Sequence, residues 1–130
     1  MTPHVPVRRV KATITKEHIK AASWSLYHNP VSLALQEHLS RDACASLFWN
    51  SDGFAPKYPE DEARIGIHQE VNDPESGSFL EELHYNLPLP RRATRALWKL
   101  RRQGIETFNP FIIQVDLPEA ALKRLSLIHI

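Results

Sequence analysis

A chain of 130 residues, 42% apolar and 24% charged, has an ordinary globular composition, and its length is typical of one domain with one core. The formal net charge of +1 excludes a basic surface spread over the whole molecule, of the kind that many nucleic-acid-binding proteins carry. No run of residues approaches the ~20 apolar positions of a membrane span, the N-terminus lacks the apolar core of a signal peptide, and a single cysteine excludes an internal disulfide. We therefore expect a protein of a reducing, cytoplasmic compartment without membrane contact.

The first half of the chain carries signals for two strands and two helices. Polar and apolar residues alternate from Arg8 to Ile14, which is the period of a half-buried strand. Thr15 is a favourable N-cap, and Asn29-Pro30 is a stronger helix start because Asn accepts bonds from free amides and Pro needs no donor there. The predicted elements are a loose tail over residues 1 to 6, a strand over residues 8 to 14, a helix from Thr15 through Ala22, a second helix from Asn29 to about Ser40, and a strand over residues 43 to 49.

The second half begins with a turn and an extended, proline-containing loop that reaches residue 62. The segment from Phe79 to Leu87 fits either a strand or a helix, and we favour a strand because the Leu-Pro repeat that follows ends it in extended geometry. The predicted elements are a strand over residues 64 to 71 with a bulge at Gly66, a loop over residues 72 to 78, a strand over residues 79 to 87, a helix that has Pro90 in its first turn and stops at Gly104, a strand over residues 111 to 117, and a last helix over residues 119 to 125.

The order of these elements predicts an α+β fold. Ten prolines favour short elements with frequent breaks. We expect a single domain over residues 1 to 130, in which a mixed, mostly antiparallel sheet of four to five strands is packed by two to four helices.

Several segments carry a resemblance to a group of phage proteins. Residues 10 to 19 (VKATITKEHI), residues 29 to 35 (NPVSLAL), the Leu89-Pro90 step and residues 109 to 118 (NPFIIQVDLP) resemble small uncharacterised proteins encoded by tailed phages. The resemblance covers about two-thirds of the chain and implies a phage accessory gene with no assigned activity, so it supplies no functional residues. The acidic middle and the density of arginines depart from that pattern. Residues 125 to 130 (LSLIHI) resemble a tail of assembled metagenomic reading frames, and we expect them to be non-native.

A basic helix is the most informative feature for function. Residues 91 to 102 hold six of the sixteen Lys and Arg residues of the chain and no acid. At about 100° per residue, an apolar face (Ala93, Ala96, Leu97, Leu100) lies opposite a cationic face. Guanidinium groups grip phosphate bidentately and an indole stacks on a base, so the candidate ligand-binding residues are Arg91, Arg95, Trp98, Lys99 and Arg102. The alternative is a half-buried Trp98 covered by arginine stems.

An acidic block precedes this basic one. Residues 60 to 82 contain eight acids and a single Arg, Arg64. The two blocks can fold against each other, remain solvated, or offer two binding faces of opposite charge.

Catalytic and metal-site patterns are weak. The four glycines are scattered, so no phosphate loop exists, and the seven histidines show no metal-ligand spacing; we predict no catalytic residues, no metal site and no cofactor. Cys44 is expected to be a buried small apolar residue, with a thiol nucleophile as the alternative. His68 or His84 with Glu70, Glu81 or Glu82 can form an acid–base pair if the strands are adjacent.

These features give three functional hypotheses. The first is a non-enzymatic, phage-type anti-defence protein that binds an anionic ligand through the basic helix, most concretely sequestering a nucleotide signal or nucleic acid in the cytoplasm of the bacterial host. The second is an inhibitor that docks its acidic segment, residues 60 to 82, onto a host nucleic-acid-binding or defence protein. The third is a small His/Glu enzyme. The sequence leaves a homo-oligomer open.

Overall fold

The computed structural model describes residues 6–50 and 56–123. The expectations for a loose tail and for non-native terminal residues fall largely outside this range. The elements in chain order are strand β1 (Val7–Ile14), helices α1 (Lys16–Ala21) and α2 (Pro30–Gln36), strands β2 (Ala43–Trp49), β3 (Ala63–Asn72) and β4 (Phe79–Pro88), helix α3 (Arg91–Gln103) and strand β5 (Phe111–Pro118), with 3-10 turns at Ile105–Thr107 and Glu119–Ala121. The predicted α+β class is confirmed.

The five strands are divided between two small antiparallel sheets. β1 pairs with β5, with Val7 opposite Pro118 and Ile14 opposite Phe111. β2, β3 and β4 form a second sheet in that order, so β3 is the central strand and β4 lies at an edge. The strand assignment of β4, for which the sequence also allowed a helix, is confirmed by its pairing with β3.

One cluster of buried apolar side chains joins both sheets and the helices. Alternation buries one face of β2 and of β3, whereas the opposite face of the β2–β3–β4 sheet is mostly polar and also carries Cys44 and Phe48. The cluster takes Ala12 and Ile14 from β1, Ile113 and Leu117 from β5, Leu47 from β2, Ile65 and Ile67 from β3, Val31 and Leu35 from α2, and Leu97 from α3.

The predicted helix starts are present, with one unexpected partner. Thr15 caps α1 in a reciprocal capping box with His18, whose Nδ1 lies 3.0 Å from the Thr15 backbone nitrogen. Asn29 caps α2 by accepting a bond of 2.9 Å from the Ser32 backbone nitrogen. Both caps satisfy amides that a helix leaves free at its N-terminus.

Three boundary or shape predictions are wrong. α2 ends at Gln36 rather than near Ser40, because the chain turns there and Leu39 forms a bridge with Leu122. The predicted last helix is only the turn Glu119–Ala121, since Leu122 is extended (φ −87°, ψ 153°) to make the same bridge. Gly66 lies in regular register, and the irregularity of β3 falls between Val71 and Asn72 instead.

Candidate anion-binding site on the basic helix

The apolar side of α3 is embedded in the core. Ala93, Leu97 and Leu100 are buried, as predicted from their spacing. Pro90 is the N-cap residue, just before the first turn in which it was expected. Gly104 ends the helix at φ 83°, a backbone conformation that favours glycine, and its nitrogen donates to the Leu100 carbonyl at 2.8 Å.

The cationic side of α3 faces solvent. Arg95, Lys99 and Arg102 are exposed, as expected for a free binding surface. Arg91 of α3 forms an ion pair with Glu62 of the acidic segment, with 3.6 Å between Nη1 and Oε1 and both side chains more than half exposed. An exposed pair of this length contributes little to stability. The two charge blocks are therefore not buried against each other.

Four of the five predicted ligand-binding residues line one concavity. Its volume is about 410 Å³, and the wall opposite α3 is formed by Pro59 and Glu60. The α3 residues that line it are Arg91, Arg95, Trp98 and Lys99. Their spacing follows the helical period, so they form one stripe along a helix of about 20 Å.

Arg102 lies beside this concavity rather than in its lining. Its guanidinium carbon is 5.0 Å from the centroid of the Trp98 ring, a cation–π distance. Trp98 is half-buried. Trp98 therefore has the environment of the alternative interpretation, a half-buried indole covered by an arginine. It lines the concavity at the same time.

The loop that forms the opposite wall is held by an acid that the sequence did not single out. Asp61 is buried, and its Oδ2 accepts bonds from the backbone nitrogens of Lys57 at 2.7 Å and Tyr58 at 2.9 Å. These bonds fix the loop that carries Pro59 and Glu60. The acidic segment is therefore not one surface, because Asp61 is internal and Glu62 points to Arg91.

A second concavity adjoins the first at Arg91, which lines both. Its volume is about 490 Å³, and it lies near α3, where β2 and β4 end and β3 begins. Trp49 contributes to its lining and is 7% exposed, and its Nε1 has no hydrogen-bond partner among residues 6–50 and 56–123. Asn50, Asn86 and Arg64 add polar groups to the same lining. The sequence offered no signal for this concavity, since its residues come from three segments that are distant in sequence, 48–50, 62–64 and 86–94.

The histidines and acids considered as an acid–base pair come together only in part. His68 on β3 lies opposite His84 on β4, and Glu82 contacts both, at 3.3 Å from His68 Nδ1 and 3.6 Å from His84 Nε2. Glu81 is opposite Val71, on the other face of the strand, and Glu70 is directly opposite Glu82. The hairpin that joins β3 and β4 has its turn at residues 74–76 and sets this register. Correct prediction of that strand pairing would have brought the two histidines and Glu82 together from the sequence.

Cys44 lies next to this cluster, opposite His68 in the register of β2 and β3. It is half-buried rather than fully buried as predicted. Burial raises the pKa of its thiol, and the negative charge of Glu82 raises that pKa further. The thiol is therefore protonated near neutral pH, which argues against a thiolate nucleophile.

Comparison of the chain with protein-family models, curated proteins and solved structures gave no match. Within residues 6–50 and 56–123, no helix is both long and apolar enough to cross a membrane. The functional assignment accordingly depends on the chemistry of the concavity along α3.

Proposed function

We propose that this protein binds an anionic ligand that carries phosphate and a base, a nucleotide or a nucleic acid, and sequesters it without chemical change. The observation that carries the proposal is that Arg91, Arg95, Trp98 and Lys99 line the same concavity of about 410 Å³. In this role it acts as a phage-type accessory protein in the bacterial cytoplasm, where it would remove a nucleotide signal or shield a nucleic acid from a host defence system.

The chemistry of the lining matches such a ligand. Arginine forks hold phosphate oxygens through paired charge-assisted hydrogen bonds, and Lys99 adds a point charge. The Trp98 indole is suited to stack on a base. Its contact with Arg102 restricts the ring before binding, so less side-chain entropy is lost when the ligand arrives.

A protein-binding role for the acidic segment is the second candidate. Phe79, Leu80 and Leu83 are exposed along β4, on both of its faces, and Glu81 shares the face of Leu83 while Glu82 lies on the other. Large apolar side chains exposed together on an edge strand favour contact with another protein, and the neighbouring acids favour a basic partner. This role requires none of the α3 cations. Substitutions on α3 should therefore weaken nucleotide binding without affecting such a protein contact.

Replacing Trp98 with alanine tests the stacking contact. Trp98→Ala should weaken binding of a fluorescent adenine nucleotide or of labelled oligothymidylate by about 1 to 3 kcal/mol, the range for one stacked base. Arg95→Ala should also weaken binding through loss of a phosphate contact. Fluorescence anisotropy measures the affinity, and Lys20→Ala, an exposed cation on α1, is the matched control that should leave it unchanged.

Thermal unfolding of the same variants separates binding from folding. A half-buried Trp98 should be removable without large loss of stability. If Trp98→Ala instead costs about 3 to 5 kcal/mol of stability, as for a core aromatic, and binding falls only with unfolding, the stacking role is wrong. Undiminished affinity in both Trp98→Ala and Arg95→Ala would rule out the α3 concavity as the binding site.

Salt dependence distinguishes the two ligand sources. Binding of oligothymidylate by four to six cations should fall by roughly one to three powers of ten between 50 and 200 mM salt, because counterions released from the polymer accumulate in the medium. The measurement is a salt titration of anisotropy, repeated with the single nucleotide. A flat response for the oligonucleotide would exclude a polymeric ligand and leave a single nucleotide. A nucleotide retained by the purified protein would raise the ratio of its absorbance at 260 nm to that at 280 nm.

A further inference from the structure

Three potential metal-ligand side chains meet on the polar face of the β2–β3–β4 sheet. His68 and His84 are directly opposite each other in the register of β3 and β4, and Glu82 lies two residues before His84 on the same face. The ligand atoms of His68, Glu82 and His84 all lie within 4.8 Å of one another. The two imidazole rings are 4.6 Å apart at 82°, so they are arranged edge to face.

The separations between these atoms fit a tetrahedral ion. With metal–ligand bonds of about 2.0 to 2.2 Å, neighbouring ligand atoms of a tetrahedral zinc site are about 3.3 to 3.6 Å apart. The His68 Nδ1–Glu82 Oε1 and His84 Nε2–Glu82 Oε1 distances are 3.3 and 3.6 Å. The two ring nitrogens are no more than 4.8 Å apart, so rotation of the rings toward each other brings both within reach of one ion held by the carboxylate oxygen.

A buried hydroxyl group lies next to the His68 nitrogen that faces away from Glu82. Ser46 is buried, and its Oγ donates to the Gly66 carbonyl at 3.3 Å. With its proton used there, the hydroxyl oxygen is an acceptor toward His68 Nε2, which lies 3.4 Å away. In the tautomer that carries the ring proton on Nε2, this oxygen accepts from Nε2 and Nδ1 presents its lone pair toward Glu82. Such an outer contact of the non-ligating nitrogen is the usual support of a metal-bound histidine.

In that tautomer, Nδ1 at 3.3 Å from a carboxylate oxygen places two acceptors against each other. A cation between them removes that repulsion. Glu70 is directly opposite Glu82 and adds a second negative charge at the same place, which further favours a cation.

We propose that His68, Glu82 and His84 bind a divalent transition-metal ion, with Zn²⁺ as the best match to two imidazoles and one carboxylate. Ser46 is a positioning residue that orients His68. Three protein ligands leave the fourth tetrahedral position to water. The His84 and Glu82 side chains are about half exposed, so an ion reaches the site from solvent. This site is separate from the concavity on α3 and does not depend on the function proposed for it.

Calorimetric titration of the metal-free full chain with Zn²⁺ tests the proposal. We expect saturable binding by the wild-type protein, a rise in its unfolding temperature with Zn²⁺, and a loss of at least about 100-fold in affinity in His84→Gln, since outer contacts alone are worth 10- to 100-fold. Glu82→Gln should lose affinity similarly and serves as the second variant if one of the two folds poorly. Ser46→Ala should weaken binding by roughly 10-fold while both ligand histidines remain.

The matched control is His28→Gln, which removes another exposed histidine and should leave Zn²⁺ affinity unchanged. Equal Zn²⁺ affinity in wild-type protein, His84→Gln and Glu82→Gln would overturn the proposal. Failure of the wild-type protein to bind Zn²⁺ would also overturn it.

Discussion

Leu97→Ala is expected to lower the free energy of unfolding by about 2 to 5 kcal/mol, because it removes a fully buried side chain from the core and leaves a cavity. Leu97 lies on the inner face of α3, which packs against β5. Lys99→Ala, two residues further along the same helix and exposed, should change stability by no more than about 0.5 kcal/mol. Urea unfolding followed by tryptophan fluorescence and circular dichroism measures both variants.

This contrast tests whether α3 is a fixed platform for its cations. A large cost for Leu97→Ala means that the positions of Arg91, Arg95 and Trp98 along the concavity are set by the core behind them. A cost below about 1 kcal/mol would contradict the packing of α3 and would also remove the basis for treating the cationic stripe as preorganised.

Elements with a strong local period were predictable from the sequence. The bounds predicted for β2 agree with Ala43–Trp49, and the basic helix agrees with Arg91–Gln103. Both depend on residues close in sequence: an uninterrupted apolar run, or an apolar stripe between Pro90 and Gly104.

The failures arise from contacts between distant segments. Leu39 and Leu122 are far apart in sequence, yet their bridge ends α2 early and keeps the chain after Glu119–Ala121 extended. Pro118 and Glu119 are typical of a helix start, but they carry no information about the bridge between Leu39 and Leu122. The division of the strands into two sheets likewise follows from which strands pair, and alternation within a strand does not specify its partner.

The candidate binding site was also predictable only in part. The stripe of Arg91, Arg95, Trp98 and Lys99 was predictable because helical spacing alone places those residues together. The wall opposite it was not, because Asp61 holds Pro59 and Glu60 in place through bonds to Lys57 and Tyr58. The acidic segment is one block in the sequence, but in the fold Asp61 is buried, Glu62 pairs with α3 and Glu82 belongs to the histidine cluster.

Gly66 is a special position in β3, as the sequence indicates, but the reason is not the predicted bulge. A glycine inside a strand was interpreted as a bulge, but its register is regular and the glycine is needed for space. A Cβ at this position would lie 2.6 Å from Ser46 Oγ, 3.3 Å from His68 Nε2 and 3.4 Å from Asn86 Oδ1. Three polar side chains from three strands therefore occupy the volume that any other residue would require.

Gly66→Ala is accordingly expected to destabilise the protein by about 1 to 3 kcal/mol, the usual cost of inserting a methyl group into a packed site. The added methyl must displace the Ser46 hydroxyl, whose bonds link Gly66 and His68, so His68 should lose its support at the same time. Urea unfolding of Gly66→Ala, Ser46→Ala and the double variant forms a thermodynamic cycle. If the clash with Ser46 Oγ is the cause, the double variant should be less destabilised than the sum of the two single variants, because the obstructing oxygen is gone. Additive effects would place the strain elsewhere in β3, and a neutral Gly66→Ala would mean that the close approach of Ser46 to this strand is not a feature of the folded protein.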